Sequence, residues 1–537
     1  MASMCALTRV TVLSCEGVLH QPLLGYLART GLTLTDQPGG HVVLVLGADR
    51  LPERVEDELL ALEVPVLVVG PTMSTAVTDH AGLVPAGLTP LHEIRVRPGP
   101  DAGDVTARSG DDLLFTDLWP LQDKVADDVE VLLTASMAFA DHPVATWRPA
   151  TGLGVLTVGS TASTYADPAW QRLVHRLLRR ITGTADGPAV RVGLLGYGAI
   201  GAEHSAAVAV TAGLELAAVC DPRADRLAAA PRVRSYTGGE DLLADEGVDL
   251  IVVSTPPDTH AAWVLRCLEA GKHVVVEKPF CLTVEEADRQ MALAAARGLT
   301  LAVYQNRRWD PDYLALKKVV RSGQLGDVFH VESFIGGYGH PCNYWHSDEA
   351  VSGGAIYDWG SHYLDWVLDL FGGDVEWVSA TTHKRVWHDV TNADHSRVLV
   401  HFTDGTEAEF THSDLAAALK PKFYVLGTAG GLIGDWRHER VVGRSPIGTL
   451  AEDRLVHSDS PAALRVFIPD GRGGISETLL SVPPAPAEPF HRQLADALLS
   501  GEPMDVTPEG SRRTIAVMQA ATLSAREGGR PMPLPTR

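Results

Sequence analysis

Cysteine is scarce in this chain of 537 residues. There are six (Cys5, Cys15, Cys220, Cys267, Cys281 and Cys342), with no CxxC or other metal-ligand spacing. No metal site is expected, and the thiols that fall in apolar stretches read as buried and reduced. Positive charge is short too: 45 Lys and Arg stand against 67 Asp and Glu, a formal net charge of -22. That balance argues against nonspecific binding to nucleic acid or to anionic membranes. No apolar run approaches the roughly 20 residues of a membrane span. The opening MASMCALTRV lacks the basic-then-apolar pattern of a secretory signal, which makes the cytoplasm the expected compartment. Internal repeats are absent.

What is present is an ordinary globular composition, 45% hydrophobic and 21% charged, long enough for two or three domains. Its clearest stretch is VRVGLLGYGAIG, Val190 to Gly201. A short apolar run leads into Gly196, Tyr197, Gly198, Ala199, Ile200 and Gly201, a strand ending in G-x-G-x-x-G with a helix expected after it. Such glycines serve a tight turn, close approach of backbone to a pyrophosphate, and helix–strand packing, with the phosphates on the helix N-terminus. Glycine-rich turns also occur for structural reasons, so context decides. A second strand, LELAAVC, ends at Asp221, twenty residues after Gly201, where a carboxylate reaches the adenosine ribose hydroxyls. The same aspartate could instead cap a turn. Asp221 favours NAD, because a carboxylate repels a 2′-phosphate; Arg223 leaves NADP open.

Residues 1–183 read as a separate α/β unit, in which apolar strands (Val10–Leu13, Val42–Leu46, Val66–Val69, Val131–Leu133, Val155–Val158) alternate with helices such as Glu53–Leu62. A mostly parallel sheet is expected. A helix from Pro168 to Ile181 closes the unit, with His175, Arg176, Arg179 and Arg180 suited to its C-terminal dipole. Residues 184–189 read as a linker.

Residues 190–308 continue as a doubly wound parallel sheet, whose ligand belongs beyond the strand C-termini. Ser254, Thr255, Pro256, His260, Glu277 and Lys278 fall at or near such ends, as do Asn306 and Arg308. THR283-VAL284-GLU285-GLU286 in the same half has the form of a capping box. From residue 309 the pattern turns to α+β around a mainly antiparallel sheet, with a hairpin at Asp404-Gly405 and polar strands and loops over residues 437–487. A last helix pair, Phe490–Leu499 and Glu509–Ala525, is expected to pack back on the nucleotide domain.

GGAIYDWGSHYLD, Gly353 to Asp365, is expected to open a helix reaching Phe371. Asp358, His362 and Asp365 can then share one face. A carboxylate beside a histidine fixes its tautomer and raises its basicity, as a proton shuttle requires. Asp365 and Asp369 read equally as solvated helix charges. Asn306, Tyr344, Trp345 and His346 are candidates for a substrate pocket, since aromatics beside polar groups suit a sugar's apolar face and hydroxyls; each could also be packing.

GYGAIG, STPPDTH (Ser254–His260), EKP (Glu277–Pro279) and GGAIYDWGSHYLD, in this order and spacing, make residues 190–537 resemble the Gfo/Idh/MocA family of NAD(P)-dependent oxidoreductases. The resemblance implies a Rossmann domain, an α+β domain with a large open sheet used for assembly into homodimers or homotetramers, and a catalytic trio at Lys278, Asp358 and His362. It also implies a carbohydrate or polyol substrate, which His362 would deprotonate as hydride leaves carbon. A rival from the same chemistry is glycoside cleavage through transient oxidation with retained NAD; a rival of another kind is a nucleotide-sensing regulator. Residues 142–183 resemble the C-terminal part of ThuA-like domains, of class I amidotransferase-like fold, with Ser160 where a histidine is expected. Neither Cys5 nor Cys15 sits on a nucleophile elbow, so this domain is expected to be non-catalytic. His20 and His142 are its polar residues to watch, against a surface or capping role.

Overall fold

The computed structural model describes residues 7–14, 17–47, 53–72, 74–105, 113–184, 187–342, 344–437, 439–444, 450–456, 460–482 and 485–535. Cys5 and Cys15 lie outside them. The chain divides into two compact units, one of residues 1–189, 211–213 and 486–504, the other of residues 190–210, 214–485 and 505–537.

The first unit is built on a nine-stranded sheet. Thr33–Thr35, Arg9–Ser14, Val42–Leu46, Val66–Val69 and Leu153–Leu156 pair in parallel. The other four strands, Ala140–Arg148, Glu130–Met137, His92–Pro98 and Leu113–Asp117, continue it antiparallel. The expected mostly parallel sheet is therefore only half right. The buried run Val42–Leu46 reads correctly as a central parallel strand, whereas tight connections in the later half permit antiparallel neighbours.

The helix Pro168–Ile181 starts at Asp167, whose side chain accepts hydrogen bonds from Ala169 and Trp170 N–H. His175 and Arg176 do not serve its dipole. Both are buried, His175 Nδ1 lying 3.0 Å from Glu502 and Arg176 Nη2 2.5 Å from Asp496. These acids come from the segment around the helix Pro489–Ser500, which groups with the first unit rather than with the nucleotide domain. Buried charge requires a partner, and that requirement ties residues 486–504 to this helix. His20 is buried with Nδ1 2.6 Å from Ser14 Oγ, and His142 faces the Gln122 carbonyl at 3.0 Å. Ser160 donates through both N–H and Oγ to the buried carboxylate of Asp117.

The second unit is built on two large sheets. The first has six parallel strands in the order Arg234–Tyr236, Leu214–Cys220, Val190–Leu195, Leu250–Val253, His273–Glu277 and Leu301–Tyr304. Chain direction across the sheet reverses between Val190–Leu195 and Leu250–Val253, the switch point at which ligands bind in open α/β sheets. Leu250, Ile251, Val252 and Val253 are all buried; covering both faces of such a strand contributes about 1.5–3 kcal/mol per large aliphatic side chain. The helix Val284–Arg297 begins at Thr283 with the complete capping box and ends on Gly298 in the left-handed region.

The second sheet has eight strands, antiparallel except where Val328–Gly336 pairs in parallel with Glu407–Ser413. The stretch read only as strands and loops supplies Ala463–Pro469 and Ile475–Leu479 to it, and a separate ribbon of Glu439–Arg444 with Leu450–Val456. The helix Gly360–Leu370 is buried for most of its length, and Pro508–Arg526 packs against it and on the strand Val375–His383. Arg512 of that last helix forms a bidentate pair with Asp288 of the Rossmann half. Cys220, Cys267 and Cys281 are buried free thiols, Cys342 half-buried. No helix among the described residues is long and apolar enough to cross a membrane.

Candidate active site

A cavity of about 750 Å³ opens at the C-terminal ends of the Rossmann strands. Ala199 and Ile200 follow the strand Val190–Leu195, Ser254 and Thr255 follow Leu250–Val253, Lys278 follows His273–Glu277, and Asn306 follows Leu301–Tyr304, and all six face it. Tyr344, Trp345, His346, Asp358 and His362 form the facing wall. Sequence-predicted residues far apart in the chain thus meet in one place.

The glycine-rich loop fits a dinucleotide. A Cβ on Gly196 (φ +96°) would come within 2.5 Å of the Ser254 carbonyl oxygen, and one on Gly201 within 2.3 Å of the Gly196 oxygen. Those two glycines let backbone pack on backbone. Gly198 differs: a Cβ there meets only the tip of Arg226, at 3.7 Å or more. Its open face is the one a pyrophosphate can approach. Asp221 is buried and holds this loop, accepting Tyr197 N–H at 2.9 Å, Arg223 N–H at 2.9 Å and Arg226 Nη1 at 3.1 Å. The Arg223 side chain turns away to Asp225, so the guanidinium beside the loop is that of Arg226, three residues later.

Lys278 Nζ lies 2.9 Å from Asp358 Oδ1, and His346 Nδ1 lies 3.7 Å from the same oxygen. Burial disfavours the Asp358 carboxylate, but Lys278 and His346 outweigh it and hold its pKa well below the usual carboxylate range. His362 is 5% exposed, and its Nδ1 has no hydrogen-bond partner among the described residues. Burial, then the charges of Lys278 and Arg307, keep its pKa well below that of an ordinary histidine. The ring is neutral at pH 7 and therefore able to accept a proton.

The expected single helix is broken. Ala355–Asp358 forms one turn, Trp359 intervenes, and Gly360–Leu370 begins anew. Asp358 ends the first piece and His362 sits in the first turn of the second. Asp365 does not join them at the cavity: it is buried against Arg308, which also reaches Asp369 at 2.8 Å. Arg308 is thereby committed to two carboxylates and does not line the cavity, and neither Asp365 nor Asp369 is a merely solvated charge. The adjacent Arg307 lines it, stacked over Trp359 at 5.1 Å and paired with Asp310 at 3.1 Å. In a tight turn over residues 306–309, sequence alone does not say which of two neighbouring arginines faces the ligand. His260 lines the cavity, but its ring nitrogens face the Pro279 and Thr255 carbonyls at 2.9 and 2.8 Å; it clamps two loops together. Pro256 lies outside the cavity wall. Glu277 pairs with His204 at 2.9 Å.

Asn392, His412 and Asp414 also line the cavity and were not anticipated. His412 and Asp414 fall at the end of the strand Glu407–Ser413 with a spacing of two, which puts both on one face. That alternation is the signal that could have found them.

A parallel six-stranded sheet with a glycine loop at its switch point, set beside a lysine, a carboxylate and a neutral histidine, defines a nicotinamide-dinucleotide oxidoreductase architecture. Residues 190–305 match the oxidoreductase family with NAD-binding Rossmann fold, and residues 313–433 the GFO/IDH/MocA C-terminal domain. The uncharacterized oxidoreductase YdgJ of Escherichia coli is 32% identical over 62% of this chain and 95% of its own length. A Schizosaccharomyces pombe oxidoreductase, C115.03, is 35% identical over 38% of this chain, and the match spans 57% of that protein. Two Bacillus subtilis scyllo-inositol 2-dehydrogenases, IolW (NADP+) and an NAD+ enzyme, are each 27% identical, over 63% and 47% of this chain and 94% and 76% of theirs. The crystal structure of an NAD-binding protein from Listeria innocua superposes with a TM-score of 0.55, at 28% identity, over 64% of this chain and 97% of the other. The chain belongs to the Gfo/Idh/MocA family of oxidoreductases.

Proposed function

We propose that the chain is an NAD-dependent dehydrogenase or reductase acting on a CH–OH or keto carbon of a sugar, polyol or glycoside. The observation that carries this reading is the convergence of Lys278, Asp358 and His362 on a cavity that begins at the glycine loop. The dinucleotide, when bound, supplies the hydride acceptor or donor. The chain's own groups do the rest. Neutral His362 takes the hydroxyl proton, Lys278 stabilises the charge developing on that oxygen, and Asp358 orients Lys278. Ala199 and Ile200 lie at the helix N-terminus that would receive the phosphates, and Trp345 and Tyr344 would offer faces to a substrate ring.

NAD is preferred over NADP because Asp221, at the end of the second Rossmann strand in chain order, is the carboxylate that would meet the adenosine ribose; Arg226, rather than Arg223, is the cation that would admit a 2′-phosphate. The B. subtilis relatives are named for either cofactor. For the first unit we propose a ThuA-like, non-catalytic role, supported by Ser160 being locked on Asp117 where a histidine would be needed.

The test is absorbance at the reduced-nicotinamide band, with purified protein, NAD+ or NADP+, and a panel of sugars, polyols and glycosides. Growth with one substrate class is the expected result. Product without absorbance change would instead indicate transient oxidation, and neither signal a nucleotide sensor. A pH profile checks the role of His362. Because its pKa is lowered, the base remains neutral as pH falls through 6.5, so kcat/KM is expected to stay level from pH 7.5 to about 6. A fall centred on the ordinary histidine value would remove His362 from this role.

A further inference from the structure

We propose that this cavity selects uncharged polyhydroxylated substrates and turns away their phosphorylated and carboxylated analogues, an inference that rests on the reading of the cavity as the substrate site. Each cationic or basic group on its wall, His260 and His362 apart, already faces a carboxylate, and both ring nitrogens of His260 are held by backbone carbonyls. Lys278 is 2.9 Å and His346 3.7 Å from Asp358; Arg307 is 3.1 Å from Asp310; His412 is 3.5 Å from Asp414. Among the described residues, five carboxylates line the cavity against one lysine and one arginine. An anion entering would have to displace one of these carboxylates from its partner while meeting the others as like charges. A hydroxyl meets no such barrier. It donates to a carboxylate lone pair that the existing pair leaves unused, and accepts from a lysine or imidazole N–H. Trp345 and Trp359 supply apolar faces for ring carbons between these polar groups. The cofactor's own pyrophosphate is served elsewhere, by the backbone of the glycine loop.

Asp310 is the residue on which this selection turns. It holds Arg307, and although it precedes the helix Pro311–Arg321 its side chain makes no capping hydrogen bond. Asp310→Asn therefore takes a carboxylate charge away from Arg307 without removing a helix cap.

The experiment is calorimetric binding to the nucleotide-loaded protein, paired with initial rates, using scyllo-inositol, glucose, glucose 6-phosphate, gluconate and an inositol monophosphate. An uncharged member is expected to bind, with its anionic analogue weaker by about a hundredfold or more, as like-charge juxtaposition dictates. In Asp310→Asn the gap is expected to narrow at least tenfold; Asp414→Asn serves the same comparison should the first variant fail to fold. An anionic analogue bound within tenfold of its neutral parent, a gap unchanged in the variants, or no binding by any uncharged member would overturn the proposal. Selective binding of uncharged polyols without hydride transfer would instead sink the oxidoreductase reading and leave the selection standing.

Discussion

Lys278→Met is expected to lower kcat/KM by about a thousandfold while nucleotide affinity changes less than tenfold. The side chain is similar in length, so what is removed is the charge. Two consequences add. The oxygen losing its proton to His362 loses the cation that stabilises it, an effect worth about 10²–10³ in rate for a preorganised donor. Asp358 also loses its nearest ion-pair partner, at 2.9 Å, and among the described residues keeps His346 at 3.7 Å. With Lys278 gone, burial acts on Asp358 less opposed, and its pKa rises. The His362 pKa moves the same way, because Lys278 is among the charges that depress it. The variant should thus show an acid limb shifted upward as well as a lower plateau. Lys278→Arg is not expected to rescue it, since a planar fork does not occupy a point-charge site. Steady-state rates across pH, with nucleotide titration by fluorescence, decide the matter. A loss below tenfold would mean that Lys278 only binds.

The parts of this site that were legible in sequence are those with a fixed local geometry. GYGAIG, the strand-end Asp221 and the lysine of EKP each sit at a strand terminus, and a parallel sheet has only one edge at which such termini gather. The capping box at Thr283 is similarly local: its two hydrogen bonds close within four residues. What escaped is what tertiary packing decides. Arg307 and Arg308 are adjacent and chemically identical, yet one faces the cavity and the other is drawn inward by Asp365 and Asp369. Helical spacing puts Asp365 with His362, but Arg308 draws the Asp365 carboxylate inward, and only Asp358 and His362 reach the cavity. His412 and Asp414 come from a strand more than a hundred residues away from Lys278, and their spacing of two puts them on one face without saying that this face meets the cavity. The helix Pro489–Ser500 was legible as a helix, but its partners were not, because a buried Arg176–Asp496 pair is a long-range fact.

The glycine loop offers the sharpest separation of fold from function, because its glycines face different things. Gly196→Ala is expected to destabilise the second unit by roughly 2–6 kcal/mol and to abolish nucleotide binding with it. At φ +96° an alanine is strained, at a cost of order 1–3 kcal/mol, and its Cβ would stand 2.5 Å from the Ser254 carbonyl oxygen. That oxygen is main chain, so relief requires the strand end Leu250–Val253 to move, and overpacking of this kind adds about 1–3 kcal/mol. Gly198→Ala is the contrast. No positive φ is required there, and the nearest neighbour of a Cβ is the far end of Arg226, a flexible side chain that can give way. Thermal unfolding of Gly198→Ala should lie within about 1 kcal/mol of the parent, the scale of a surface substitution. Its nucleotide affinity should nevertheless fall about tenfold or more, since the new methyl occupies the face along which backbone and pyrophosphate approach. Melting curves with and without NAD+ separate the two effects: Gly196→Ala lowers the melting point in both, whereas Gly198→Ala loses only the upward shift that NAD+ confers. Equal behaviour of the two variants would mean that the pyrophosphate does not cross Gly198, and the placement of the dinucleotide on this loop would have to be abandoned.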